Sequence, residues 1–282
     1  MYCRKAILED YDLLYDLYNH VYPSDHPLKN IDFWKWQYGN PEHGTAYIVM
    51  DDSKIYGHVG AYFNGNVGWI INVYLDPSLR GGGWVGKMYG LAREDYTNLA
   101  ATSANSAGLG LYRNMNWFRY CNLERFISIN PDFNKSELTT ILQPIEVISN
   151  FTKPSDDYYW EQPGIKGILL ANGSKGVAQE DVGGFRFTEI TDLKTALEEI
   201  WELGFKWCDY LSSWNDNTLT KLDKAGWVHH EDMRFPWYLN PVDFDKKCRV
   251  TFLSENALNA DYICKRYYSD HGRVGSLPNK KK

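Results

Sequence analysis

The chain has 282 residues, of which 44% are hydrophobic and 23% are charged, a composition typical of a soluble globular protein of one large or two small domains. Its net charge of −6 argues against a nucleic-acid-binding surface, because phosphate binding requires clustered positive charge. Since the sequence contains neither an apolar run of membrane-helix length nor a signal peptide, we expect a cytoplasmic protein with no membrane partner.

The five cysteines are scattered along the chain and include no Cys-x-x-Cys pair. This spacing indicates neither a disulfide framework nor a zinc site, so we expect buried thiols and no metal.

Aromatic residues are unusually frequent, with 11 Trp and 21 Tyr. Flat, amphipathic rings suit the recognition of a sugar or a nucleotide, and a large aromatic core would use them equally well. Composition alone leaves both interpretations open.

The first half of the chain predicts alternating strands and helices in the order β-α-β-β-β-α-β-α-β. A strand at residues 2–8 precedes a helix at 9–22, where Leu13, Leu14, Leu17 and Val21 have helical spacing. The remaining predicted elements are a hairpin at 45–63 that turns at 51–54, a strand at 67–76, a helix at 84–96, a strand at 98–104, a helix from Asn105 and a strand at 119–129.

Three consecutive glycines, Gly81, Gly82 and Gly83, lie between Arg80 and the helix predicted at 84–96. Glycine costs about 1 kcal/mol relative to alanine in a helical turn, which suggests that exposed backbone is required here. The first N–H groups of a helix lack intrahelical partners and lie at the positive end of its dipole. The segment therefore predicts a phosphate or pyrophosphate site, and a flexible turn without a ligand is the alternative.

A second motif occupies the helix predicted from residue 105 to 118. Asn105 is a suitable N-cap, and Leu109, Tyr112, Met115 and Asn116 share one helical face by their spacing.

Together, the two segments resemble the GNAT acyltransferase superfamily. The family's loop pattern P-x-x-R-x-x-G-x-[GA] is matched by Pro77, Arg80 and Gly83, with Val85 in the last position and Gly86 after it. Its helix pattern N-x-x-[AG]-x-x-L-Y-x-x-x-G-[FW] is matched by Asn105, Gly108, Leu111, Tyr112 and Trp117, with Asn116 in place of glycine.

The resemblance implies an acyl-CoA donor and assigns a role to each matched segment. The strand backbone at Val73, Tyr74 and Leu75 would pair with the pantetheine amides, and the Tyr74 or Leu75 N–H would polarise the thioester carbonyl. The loop residues Arg80, Gly81, Gly82, Gly83, Trp84, Val85 and Gly86 would bind the pyrophosphate through their backbone. Asn105 would contact the pantetheine near the sulfur, and Tyr112 would be the catalytic acid, with a core tyrosine as the alternative.

The acceptor side is less defined by the sequence. His58 and Asn72 lie on adjacent predicted strands and could face the acceptor, although a lone histidine is more often structural and water could carry the proton. Trp34, Trp36 and Tyr38 alternate, which would form a stacking platform for a base or sugar in an extended chain, or else they are core aromatics.

The second half predicts a degenerate copy of the same unit. Strands at 183–190 and 207–213 flank an amphipathic helix at 193–203, and a helix from Asn215 ends at Gly226 and Trp227 with the spacing of Asn105 to Asn116 and Trp117. Leu222 takes the place of Tyr112, so acyl-CoA chemistry should be lost there. We therefore expect an α/β fold with two domains, 1–150 and 151–282, each with a mixed, mostly antiparallel sheet flanked by helices, the Pro-containing segment 151–164 forming the boundary.

This arrangement is similar to that of two-domain N-acyltransferases of nucleotide-sugar pathways. Those enzymes acylate the amine of a dTDP- or UDP-linked amino-deoxy sugar with acetyl-CoA or 3-hydroxybutyryl-CoA. The closing stretch resembles a K-x-D-x-D-x-D-R-P-N ending, of which Lys265, Asp270, Arg273, Pro278 and Asn279 remain, and "PNKKK" is expected to be a solvated tail.

The resemblance predicts a small-molecule nucleotide-sugar substrate and a monomer or homodimer. Two other functions remain open. One is acyl transfer to an aminoacyl or protein amine, and the other is acyl-CoA sensing without turnover.

Overall fold

The structure, a computed structural model, describes residues 1–64, 67–103, 106–133, 138–147, 151–232, 250–268 and 277–281. Its strands are β1 (Tyr2–Lys5), β2 (Gly44–Met50), β3 (Ile55–Asn64), β4 (Val67–Leu75), β5 (Asn98–Ser103), β6 (Phe118–Asn122), β7 (Glu124–Ile129), β8 (Gly167–Leu169), β9 (Lys175–Gln179), β10 (Gly184–Glu189), β11 (Trp207–Ser212), β12 (Val228–His229) and β13 (Thr251–Ser254). Its α-helices are α1 (Tyr11–Val21), α2 (Ile31–Tyr38), α3 (Trp84–Asp95), α4 (Ser106–Asn114), α5 (Leu138–Ile141), α6 (Leu193–Glu202) and α7 (Asn217–Lys224). Among the described residues, no helix is long and apolar enough to cross a membrane.

The first sheet has seven strands in the order β1-β2-β3-β4-β5-β13-β6. All neighbouring pairs are antiparallel except β4 and β5, which run parallel. The predicted mixed, mostly antiparallel sheet is therefore confirmed, as is the hairpin at 51–54 that joins β2 to β3.

Helices cover both faces of the first sheet. Trp69 and Ile70 are consecutive in β4, so their side chains point to opposite faces. Trp69 shares a core with Leu14 of α1 and Trp34 of α2, whereas Ile70 shares a separate core with Met88 of α3. The helices α1 and α2 thus lie on one face, and α3 and α4 lie on the other.

The helix α2 was not predicted and corrects the interpretation of its aromatic residues. The Asn30 side chain caps it by accepting a hydrogen bond from the Asp32 N–H at 3.0 Å. Trp34, Trp36 and Tyr38 are only 1%, 6% and 5% exposed. The predicted stacking platform is therefore wrong, because it required an extended segment with exposed rings, and the three residues are core aromatics.

The second sheet has six strands in the order β12-β7-β11-β10-β9-β8. The helices α6 and α7 pack on one of its faces, where Ile200 and Leu222 share a core with Phe185. Its strands β10 and β11 run parallel, as β4 and β5 do in the first sheet.

Each sheet contains one strand from the other half of the chain. The segment 119–129, predicted as one strand, is two strands: β6 joins the first sheet, and β7 pairs with β11 in the second. Conversely, β13 inserts between β5 and β6 of the first sheet. A boundary near residue 150 therefore does not separate the two sheets.

The unit β4-α3-β5-α4 recurs as β10-α6-β11-α7. The ends of α4 and α7 share one hydrogen bond of the Schellman type: the Trp117 N–H donates to the Tyr112 carbonyl, and the Trp227 N–H to the Leu222 carbonyl, each at 3.1 Å. The residue before each tryptophan has a positive φ, +57° in the first copy and +80° in the second. The matched geometry supports an internal repeat in which Leu222 corresponds to Tyr112.

The described residues of the predicted solvated tail, 278–281, are exposed, but hydrogen bonds tie them to the first half of the chain. The Lys280 N–H donates to the Lys29 carbonyl at 3.1 Å, and the Ile31 N–H donates to the Lys280 carbonyl at 3.0 Å. The Asn30 side chain also donates to the Pro278 carbonyl at 3.1 Å. These hydrogen bonds attach residues 278–280 to the start of α2.

Candidate active site

The start of α3 is a cluster of exposed backbone N–H donors. Gly81 and Gly83 have φ angles of +83° and +74°, which residues with a Cβ rarely adopt, and Gly83 is the N-cap. The Lys87 N–H donates to the Gly83 carbonyl at 3.1 Å. The N–H groups of residues 84–86 come before this bond, so they have no acceptor within the helix and favour an anion.

Packing does not explain the glycine at position 86. A Cβ built on Gly86 would meet no atom within 4 Å, and the same holds for Gly90 one turn later. Both residues lie inside α3, where alanine is preferred to glycine. A ligand that approaches the first turn closely would explain why Gly86 has no side chain.

The parallel strands β4 and β5 pair only between residues 67–70 and 98–101. Beyond Ile70, the remaining residues of β4 have no parallel partner among the described residues, and Val73 is 37% exposed. A gap therefore opens between the two strands, next to the start of α3.

The hydrogen bonding of β4 shows which N–H groups face this gap. The Asp76 N–H donates to the Tyr56 carbonyl on β3 at 2.8 Å. Hydrogen-bonded and non-hydrogen-bonded pairs alternate in an antiparallel ladder, so Leu75, which pairs with Gly57, directs its N–H away from β3. Of the two predicted carbonyl-polarising donors, Leu75 rather than Tyr74 therefore faces the gap.

Tyr112 lies in the core that joins α3, α4 and the end of β4. It is 4% exposed, packs its ring on Trp117 at a centroid distance of 4.6 Å, and shares the core with Leu75 and Val85. The buried Tyr89 hydroxyl donates to the Tyr112 hydroxyl at 3.4 Å. The sequence analysis did not single out Tyr89, because it belongs to neither motif. Its contact with Tyr112 arises only from the packing of α3 against α4.

The predicted Asn105 lies outside the described residues, and its contact with the pantetheine stays a prediction. Arg80 is exposed, and its Nε–H donates to the Leu75 carbonyl at 3.4 Å, so it lies beside the gap. Trp84 begins α3 and lies under the Lys87 ammonium, 3.9 Å from the ring centroid.

Three of the five predicted acceptor-side residues come together at Asn72. The Tyr38 hydroxyl donates to Asn72 Oδ1 at 3.0 Å, and His58 Nδ1 donates to the Asn72 carbonyl at 2.9 Å. Gln37, which the sequence did not single out, donates to the same Oδ1 at 3.2 Å. Trp34 and Trp36 lie in the core, where Trp34 packs edge-to-face on Tyr38.

His58 is neutral near physiological pH. Burial lowers its pKa to about 4, and because a carbonyl can only accept, Nδ1 carries the proton. Its Nε2 is a buried lone pair without a hydrogen-bond partner in the described part of the chain.

The corresponding sites of the second copy are filled by the chain itself. The Asp192 carboxylate accepts a hydrogen bond from the Thr195 N–H at 2.9 Å, so it occupies the anion position at the start of α6. The Asn215 side chain, which corresponds to Asn105, donates to the carbonyls of Ala260 and Tyr262. In the second copy, side chains therefore occupy the helix start and the Asn215 position, whereas the helix start of the first copy is exposed.

One cluster resembles a metal site, although none was predicted. One ligand atom from each of Glu124, His229 and His230 lies within 4.8 Å of the others. His230 Nδ1 accepts a hydrogen bond from the Arg125 N–H, so the proton is on Nε2 and that nitrogen has no lone pair for a metal. The donor set therefore does not favour a metal.

Comparisons with known proteins bear on the family and the fold. Residues 11–117 match the model of the Acetyltransferase (GNAT) family. No curated protein matches the chain by sequence. Among solved structures, a proposed acetyltransferase of Pyrococcus horikoshii has a TM-score of 0.51 at 11% identity and covers 97% of this chain and 95% of its own.

A protein of Enterococcus faecalis, proposed to be an N-acyltransferase, has a TM-score of 0.50 at 10% identity, with 90% of this chain and 72% of its own covered. These two similarities show the fold of nearly the whole chain. The family match itself is confined to residues 11–117, which make up less than half of the chain.

Proposed function

We propose that the chain transfers an acyl group from acetyl-CoA or 3-hydroxybutyryl-CoA to the amine of a dTDP- or UDP-linked amino-deoxy sugar. The observation that carries the donor half of the proposal is the gap between β4 and β5, which opens beside the free N–H groups at the start of α3. Backbone groups along one wall suit the amides of pantetheine, and the helix start suits a pyrophosphate.

The reaction forms a bond between the amine nitrogen and the acyl carbon and breaks the C–S bond of the thioester. In this proposal the Leu75 N–H donates to the carbonyl oxygen as negative charge develops there. Tyr112 gives its phenolic proton to the departing thiolate of CoA, and water takes the proton that the amine loses.

The contact with Tyr89 supports Tyr112 as the acid. A phenol has one proton, and the Tyr89 hydroxyl directs its own toward the Tyr112 oxygen at 3.4 Å. The same hydrogen bond would stabilise the phenolate that forms when Tyr112 gives up its proton.

His58 is not proposed as the general base. It is 1% exposed, and its lone pair on Nε2 is buried. The exposed residue of β4, Val73, comes after Asn72 in the strand. Its low pKa also makes it a weak base.

The acceptor half of the proposal depends on the face of the first sheet that carries α1 and α2. Leu211 and Cys264 of the second half pack into this core, so the second half covers part of the face. Trp214 lies beside it: its backbone reaches the Cys121 thiol on β6, and its side chain is 66% exposed. An exposed indole near the end of the sheet supports stacking with a nucleotide base or sugar.

Replacement of Gly86 by alanine should weaken acyl-CoA binding without destabilising the protein. The added methyl meets no protein atom but crowds a pyrophosphate at the helix start, and it should stabilise α3 by up to about 1 kcal/mol. Calorimetric affinity for acetyl-CoA and the melting temperature measure the two effects. Gly90→Ala is the matched control, and equal affinities for the two variants would refute the anion site.

Tyr112→Phe should lower kcat about a hundredfold and leave the KM for acyl-CoA nearly unchanged, as expected for an acid that acts only in the transition state. Release of free CoA thiol measures both constants. Tyr89→Phe should lower kcat by a smaller factor. An unchanged kcat in Tyr112→Phe would exclude the acid role.

A nucleotide-linked amino sugar should be acylated with a much higher kcat/KM than the free amino sugar, because remote binding energy positions the amine. Trp214→Ala should raise the KM for the nucleotide-linked acceptor about three- to tenfold and leave the KM for acyl-CoA unchanged. Phe118→Ala is the control, because Phe118 is 53% exposed at the opposite end of β6 from Asn122. Equal acylation of the free sugar would show that the acceptor assignment is wrong.

The unfolding free energy should fall as the pH is lowered from about 6.5 to 4. Over this range the unfolded chain binds a proton at His58 that the folded chain does not, which costs up to about 1.4 kcal/mol per pH unit. Urea unfolding at several pH values should give a shallower slope for His58→Gln than for the unsubstituted chain. An identical slope would mean that His58 titrates normally.

A further inference from the structure

The strand β4 contains a strained residue next to the gap. Asn72 has a φ of +51°, in the left-handed region that residues with a side chain rarely adopt. His58 pairs with Tyr74 and Gly60 with Ile71, so two residues of β4 face one residue of β3. Asn72 is therefore the extra residue of a β-bulge, and a strained residue in this place must be held by its surroundings.

Three buried side chains hold Asn72. Gln37 and Tyr38, adjacent at the end of α2, both donate to its side-chain oxygen, at 3.2 Å and 3.0 Å. His58, on the neighbouring strand, donates to its backbone carbonyl at 2.9 Å. Together the bonds fix both the side chain and the peptide of the bulged residue.

These three side chains lie behind β4, away from the gap. Gln37 and His58 are each 1% exposed, and Tyr38 is 5% exposed, whereas Val73, the residue after the bulge, is 37% exposed. A substrate in the gap would therefore meet Asn72 and the following backbone, and the three buried side chains would act on it only through Asn72.

The bulge decides which N–H groups of β4 face the gap. One extra residue shifts the register of everything after it by one, and such a shift exchanges the groups that bond to β3 with those that point away. If the bulge were lost, the Leu75 N–H would turn into the ladder with β3. Its direction toward the gap therefore depends on Asn72 keeping its conformation.

We propose that Gln37, Tyr38 and His58 are positioning residues for acyl transfer: they hold Asn72 in the bulge and thereby keep the Leu75 N–H directed at the thioester carbonyl. This inference rests on the proposed use of the gap by acyl-CoA, and it replaces the predicted direct contact of Tyr38 and His58 with the acceptor.

The helix that carries Gln37 and Tyr38 is itself fixed by later parts of the chain. Trp36 Nε1 donates to the Tyr158 carbonyl at 3.1 Å, and the Tyr158 hydroxyl donates to the Trp36 carbonyl at 2.8 Å. The start of the helix is fastened to Lys280 by backbone hydrogen bonds. The second half of the chain thus supports the bulge from a distance.

Tyr38→Phe tests the proposal, since it removes one hydrogen bond to Asn72 and keeps the ring in the core. We expect kcat to fall about tenfold or more, while the affinity for acetyl-CoA measured by calorimetry changes less than threefold. Tyr11→Phe is the matched control, because it removes a similarly buried hydroxyl, which donates to the Leu28 carbonyl at 3.0 Å on the same face of the sheet. It should lower the melting temperature by a similar amount and leave kcat unchanged.

Substitution of Asn72 supplies a second test. Glycine adopts a positive φ without strain, so Asn72→Gly should keep most of the activity, and Tyr38→Phe should then cost less than twofold in that background. Asn72→Ala has neither the hydrogen bonds nor the freedom of glycine and should lose at least as much activity as Tyr38→Phe. Backbone amide shifts of residues 73–75, measured by NMR, should move in Tyr38→Phe and not in Tyr11→Phe, a readout that needs no acceptor.

The proposal is overturned if Tyr38→Phe and Tyr11→Phe have the same kcat, if Tyr38→Phe raises only the KM for the acceptor, or if its cost is as large in the Asn72→Gly background. Unchanged amide shifts would overturn it as well. A failure of the acceptor assignment would leave these amide shifts as expected, so the two failures are distinguishable.

Discussion

The divergence of β4 from β5 is the constraint on which the rest of the molecule depends. Two parallel strands that separate after four paired residues leave peptide groups without partners, and such groups require hydrogen bonds from another source. In the first copy the gap remains open beside the start of α3. The strained Asn72 and its three buried partners maintain the shape of this open edge.

The second copy shows how the same architecture is closed. At the end of β11, Ser212 forms a bridge with Lys265, and the Ser213 N–H donates to the Cys264 carbonyl at 3.1 Å. Lys265 also donates to the Tyr210 hydroxyl at 2.7 Å and pairs with Asp216. Burial alone would raise the pKa of Asp216, but the hydrogen bond from Tyr210 and the Lys265 charge contribute to holding it below its usual value. Lys265, one of the residues that match the C-terminal pattern, therefore links the end of β11 to Asp216.

The exchange of strands between the sheets gives the two copies a shared structure. Because β7 completes the second sheet and β13 the first, the loss of either half would leave the other with a missing strand. This interdependence supplies a structural reason for a second copy whose own gap is filled. It also explains how contacts at Tyr158 and Lys280 can stabilise the helix α2 of the first copy.

Much of the fold was determined by the sequence alone. Local patterns sufficed for the hairpin at 51–54, the helix α3 and its glycine-rich start, since these depend on turn residues, periodicity and backbone freedom that are read over a few positions. The repeat was also visible, because the left-handed residue at each helix end leaves a spacing in the sequence. The helix α2 was not, because its alternating aromatic residues satisfy a strand pattern as readily as a short, buried helix.

Only the tertiary structure decided the exchange of strands, the closure of the second copy and the hydrogen bonds around Asn72. Each depends on residues far apart in the chain, such as Gln37 and Asn72, whose contact no local periodicity encodes. The same limit applies to Tyr89 and Tyr112, which meet only because α3 and α4 pack on one face of the sheet. Sequence determined which residues could do chemistry, and long-range packing decided which of them meet.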